Sequence, residues 1–141
     1  MHLKLLSVGN RKACISVFPS KYRLFNSGGQ RGISPMMRFI DENEDLCGYS
    51  VADVIVGKAS AILFVKAGIS AVHGKVMSES GKAYLESHSI PCTYDILTKR
   101  IINRHGTDIC PMEKTVAEID DAEIGYIALK SRLNEIKKLS L

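Results

Sequence analysis

The residues in this sequence best placed to do chemistry cluster where helices are expected to begin. Lys58 interrupts the most apolar stretch of the chain, residues 50–78. An amine among aliphatic side chains must either reach water along its methylene stem or meet an anionic partner, so Lys58 is read as a snorkelling lysine or as a site lysine. Ser78 precedes a helical pattern and fits an N-cap. The N–H groups behind it would favour a carboxylate or phosphate, although a cap alone explains the serine. Cys110 precedes Pro111 at another expected helix start, where the helix dipole favours a thiolate and makes it a candidate nucleophile. Its alternative is an inert, buried thiol, because no neighbouring base is fixed by the sequence. Glu113 falls at the third position of that helix. It reads as a capping-box acid or as the anionic partner of Lys58. Asn103 and Arg104 lie in a turn-like stretch, where they could bind polar groups of a ligand or simply hold the loop.

These residues need elements to position them. Ser50-Val51-Ala52-Asp53 has capping-box form and predicts a helix from there to Gly68. On that helix Val51, Val54, Ile55, Ile62 and Val65 fall within roughly 60° of Lys58, with Asp53 and Gly57 on the far side. Residues 71–77 read as a strand, 79–88 as a helix and 91–97 as a second strand, and a strand-helix-strand crossover makes those strands parallel neighbours. Upstream, residues 12–18 and 22–25 alternate around Pro19-Ser20-Lys21 and predict a β-hairpin, giving a mixed sheet. The loop Gly28-Gly29-Gln30-Arg31-Gly32 matches neither the P-loop nor the dinucleotide spacing and reads chiefly as a connector. Ser34-Pro35 then opens a helix through Ile40. Asp120 with Glu123 is expected to cap the last helix, residues 121–138, which carries Ile124, Ile127, Ala128, Ser131 and Ile136.

Composition bounds the function. A chain of 141 residues, 45% hydrophobic and 24% charged, suits a single domain over 1–141. The net charge of +4 is scattered, so no nucleic-acid surface is indicated. Lys58 and Lys66 break the apolar run, so no membrane span is expected, and the N-terminus lacks a full signal-peptide core. Both point to the cytoplasm. Cys14, Cys47, Cys92 and Cys110 form no C-x-x-C pair, so neither a metal site nor a cofactor is called for.

The segments V-G-K-A-S-A, V-M-S and N-R-x-G followed by C-P-M-E resemble a small uncharacterised prokaryotic family, a domain of unknown function, over residues 12–119. The resemblance implies a cytidine-deaminase-like fold, a three-layer α/β/α sandwich with a mixed sheet and C-terminal helices. Zinc deaminases of that fold need His-x-Glu and Pro-Cys-x-x-Cys at two helix starts, and neither motif occurs here. At the matching places stand Asp53, Gly57 and Lys58, and Ser78 and Ser80, which are poor zinc ligands as a set. The expectation is a zinc-free protein binding a small polar or anionic metabolite, a nucleoside or nucleotide included, around Lys58, Ser78 and residues 103–113. The alternatives are an enzyme using Cys110 with Lys58, and an adaptor or homo-oligomer module built on the last helix.

Overall fold

Residues 50–56 form a strand rather than the first half of a helix. The computed structural model describes residues 4–7, 22–24, 32–103 and 105–139. In it the strand β3 (Tyr49–Val56) ends at Gly57, and the helix α2 (Lys58–Ala67) begins immediately after it. Val51, Val54, Ile55 and Val56 are β-branched, lose rotamer freedom in a helix and pack well on a pleated sheet. A central strand with apolar residues on both faces is a nearly continuous apolar run, so its wheel projection mimics an apolar helical face. Lys58 is therefore the first residue of a helix and not the middle of one. The expected stop holds: Gly68 adopts the left-handed conformation, and its N–H bonds back to Phe64 O and Val65 O.

Two further strands and a helix follow as the sequence predicts. They are β4 (Ala71–Ser78), α3 (Glu79–Ser87) and β5 (Cys92–Thr98), with β4 parallel to both β3 and β5. Upstream lie β1 (Lys4–Ser7), β2 (Tyr22–Leu24) and α1 (Ser34–Asp41). The sheet order is β2-β1-β3-β4-β5. Every pairing among the described strands is parallel, including β1 with β2 and β1 with β3, which corrects the mixed sheet expected from a hairpin. Residues 12–18, the other arm of that hairpin, lie outside the described residues, as do residues 28–31 of the glycine-rich loop.

Two short-range details also differ from expectation. The residue before α1 is Ile33, without a side-chain cap, because Ser34 already lies inside the helix. The chain closes with α4 (Pro111–Val116) and α5 (Ala122–Leu139). The start of α5 is capped by Asp121, whose Oδ1 accepts the Ile124 N–H at 2.8 Å, and not by Asp120.

The core is organised around α2, buried on every side from Lys58 to Phe64. It packs on β3 within the sheet and also touches α1, α3, α4 and α5. Its contact with α5 is close: a Cβ on Gly125 would fall 2.7 Å from Ile62 Cγ2. Leu129 of α5 is fully buried, whereas Ile124 and Ile127 are exposed. The register row Ile55–Val76–Ile96 crosses the sheet with Ile55 and Ile96 exposed, and β5 has a described neighbour on one side only. Among the described residues no helix is long and apolar enough to cross a membrane.

Candidate functional site

The N-terminal ends of α2 and α3 nearly touch. A Cβ on Gly81 would lie 2.9 Å from the carbonyl carbon of Gly57, so a glycine is needed for the two helix starts to approach this closely. Ser78 is buried, and its Oγ accepts the Gly81 N–H at 3.0 Å, an N-cap as predicted; Ser80 Oγ lies 3.1 Å from it. Two positive dipole ends thus meet at one point, and each needs an acceptor.

For α2 the acceptor comes from another helix. No side chain of its own caps it. Instead Glu113 of α4 reaches in, Oε2 accepting the Lys58 N–H at 3.0 Å and Oε1 the Ala59 N–H at 3.3 Å. Gly57 is what admits it, since a Cβ there would fall 1.9 Å from Oε1. Burial pushes the Glu113 carboxyl above its usual range, and the N–H groups of Ala59 and Lys58 and the Lys58 charge oppose that rise. Glu113 is accordingly a capping acid, but of α2 rather than of its own helix, and the ion-pair partner of the Lys58 ammonium is Asp120 instead.

The Lys58 side chain lies under the segment joining α4 to α5. Its Nζ donates to Ala117 O at 3.1 Å and to Asp120 Oδ1 at 3.3 Å, and lies 5.9 Å from the centroid of the Tyr84 ring. Lys58 is 9% exposed, while the Asp120 side chain is 93% exposed, so the ion pair spans from interior to water. Tyr84 of α3 donates its hydroxyl hydrogen to Asp120 O at 2.7 Å, tying the same segment to a third helix.

These groups border a cavity of about 420 Å³. Lys58, Glu113, Asp120 and Arg100 supply its charged lining, Ser80 and Ser87 its hydroxyls, and Tyr84, Ile101 and Ile109 much of its apolar wall. Such a volume is that of a small-molecule site. Arg100 follows the carboxyl end of β5 and is exposed, and its side chain has no ion pair or hydrogen bond among the described residues. Glu113 is committed to backbone N–H groups and Asp120 to Lys58. Among the described residues the Arg100 guanidinium is therefore the charged group of the lining whose side chain is not already engaged.

The other predicted residues stand apart from this lining. Asp53 sits within β3 opposite Gly74, where burial pushes its carboxyl up to about 8 against backbone N–H donation, including Val54 N–H to Oδ1 at 2.7 Å. Asn103 holds its own loop: Oδ1 accepts the Thr107 N–H at 3.0 Å and Nδ2 donates to Thr107 Oγ1 at 3.1 Å. Arg104 lies outside the described residues. Cys110 is the half-buried residue before α4, without a side-chain cap bond and off the cavity wall. Among the described residues no three His, Cys, Asp or Glu side chains come together as a metal-binding group.

Sequence reasoning missed Tyr84, Arg100 and the role of Asp120. Arg100 carried a usable signal, since ligands of parallel sheets lie beyond the carboxyl ends of the strands and Thr98 ends β5. Tyr84 follows Ser80 by four residues and so shares its helix face.

Comparison with curated proteins returns no match. Among solved structures the chain is similar to the crystal structure of a DUF1893 family protein (TM1506) from Thermotoga maritima. The two are 28% identical, the match covers 73% of this chain and 70% of that one, and the TM-score is 0.68. Residues 4–133 match the family described as TM1506, domain of unknown function (DUF1893). With nearly its whole length inside that match, the chain belongs to the DUF1893 family.

Proposed function

We propose that this protein is a zinc-free member of the cytidine-deaminase-like fold that binds a small polar or anionic metabolite, nucleosides and nucleotides among the candidates, in the cavity beside Lys58. In support, two helix starts converge at Gly57 and Gly81, the places where the zinc deaminases carry their ligands, and this chain has Gly57, Lys58, Ser78 and Ser80 there. Glycine, an ammonium and hydroxyls do not make a zinc site. The observation that carries the reading is the cavity itself, where a nearly buried lysine and an arginine without a side-chain partner among the described residues border the same space.

Donor counting narrows how an anion would be held. Glu113 occupies the N–H groups of Lys58 and Ala59, so that helix end is not free for a ligand. An ammonium has three N–H groups, and Ala117 O and Asp120 Oδ1 take two of those on Lys58. The third, with the Arg100 fork and the Ser80 hydroxyl, is left for a carboxylate or phosphate.

A panel of nucleotides, nucleosides and carboxylic acids should contain a compound that raises the melting temperature. At a hundredfold excess over Kd the gain is about 2.7 kcal/mol, or roughly 8 °C for a chain of this size. Lys58→Met should abolish the shift while the protein stays folded, because Asp120, the partner left behind, is in water. If no compound stabilises the wild type, or if Lys58→Met responds equally, the reading is wrong.

A further inference from the structure

We infer that Lys58 forms an imine with a small carbonyl compound bearing a carboxylate or phosphate, an inference that rests on the cavity being a ligand site. The stereochemistry around Nζ is the starting point. A neutral amine has two N–H groups and one lone pair in a roughly tetrahedral arrangement, and Ala117 O and Asp120 Oδ1 fix two of those directions. The lone pair is confined to what remains of the tetrahedron around a nitrogen that borders the cavity. An ordinary surface lysine rotates freely and has no such fixed direction.

The surroundings supply the other requirements. The Lys58 side chain is 11% exposed, and the Tyr84 ring, Ile101 and Ile109 line the same space, so a carbonyl compound reaching the amine rests against an apolar wall. Asp120 touches both the amine and the solvent and can carry a proton between them. Arg100, whose side chain has no partner among the described residues, lines the same cavity and favours a carbonyl compound carrying an anionic group.

The step balances without any further reactant. The ammonium first passes one proton by way of Asp120 to water. The nitrogen lone pair then attacks the carbonyl carbon, forming the C–N bond, and the carbonyl oxygen is protonated. As C=N forms, that oxygen and the two amine hydrogens leave as one water molecule, and nothing is oxidised or reduced.

Glyoxylate with cyanoborohydride tests this, because reduction traps the imine as a carboxymethyl-lysine that intact mass and peptide mapping can read. Lys58 should be modified at least about tenfold faster than the other lysines, saturably, and faster as the pH rises. Lys58→Arg keeps the positive charge beside Asp120 and should lose the adduct while remaining folded, and Arg100→Ala should raise the glyoxylate concentration needed for half-saturation. Modification spread evenly over the lysines, or unchanged in Lys58→Arg, overturns the inference. Glycolate, which has the carboxylate but no carbonyl, separates the two levels. Stabilisation by glycolate while glyoxylate gives no Lys58 adduct removes the imine and leaves the binding site standing. If no adduct forms on Lys58 and neither compound nor any member of the nucleotide, nucleoside and carboxylic acid panel stabilises the protein, both fail.

Discussion

Asp53 offers the sharpest test of the electrostatics, because it lies in the sheet and away from the cavity. Its carboxyl moves from an ordinary value of 3.8 to about 8 on folding, chiefly through burial. Between those two values the folded protein holds a proton that the unfolded chain has released. Stability from this group is therefore greatest in acid and falls as the pH rises through the window, by about 1.4 kcal/mol per pH unit. From pH 5 to pH 7 the loss is about 2 to 3 kcal/mol, or roughly 8 °C in melting temperature. Asp53→Asn removes the titration but keeps an oxygen able to accept the Val54 N–H. The variant should melt close to the wild type near pH 4 and progressively above it from pH 5 towards pH 8. Only the difference between the two proteins is read at each pH, so other titrating groups cancel. A difference that stays flat from pH 5 to pH 8 would refute the assignment of a buried, proton-retaining Asp53.

Three further outcomes follow from packing. Gly57→Ala places a methyl where Glu113 Oε1 sits and should cost about 2 to 4 kcal/mol; in a Glu113→Ala background the same change should cost much less, which a double-mutant cycle of denaturant melts measures. Gly125→Ala drives a methyl against Ile62 and should cost about 1 to 3 kcal/mol, partly recovered by Ile62→Val, as melting curves of the single and double variants would show. Leu129→Ala empties a fully buried position under α5 and should cost about 2 to 5 kcal/mol, whereas Ile127→Ala on the exposed side of the same helix should change the denaturation midpoint little.

What could be read from the sequence was what local chemistry decides. Gly68 as a helix stop, Ser78 as a cap and the parallel β4–β5 pair each depend on a few adjacent residues or on one crossover rule. Residues 50–56 were misread because a wheel projection registers apolar clustering and cannot tell an amphipathic helix from a strand with apolar residues on both faces. The four β-branched residues before Gly57 were the cue that should have decided it. The Glu113 contact was half legible: its charge made it a partner for Lys58, but a cap supplied from 54 or more positions away leaves no local spacing to recognise. The same holds for Asp120, which looked like a cap for its own helix until Asp121 proved to fill that place.

The free side of β5 has a consequence of its own. Cys92–Thr98 presents a row of backbone donors and acceptors along the rim of the sheet, with Tyr94, Ile96 and Leu97 exposed beside them. A rim like this invites edge-to-edge stacking into aggregates, and a charge in mid-strand is a common guard against it. Asp95 is the one acidic residue in that strand and is itself exposed. A charge there fits a gatekeeper's place on an edge left open among the described residues, and neutralising it should shorten the time before the protein clouds without moving its melting temperature.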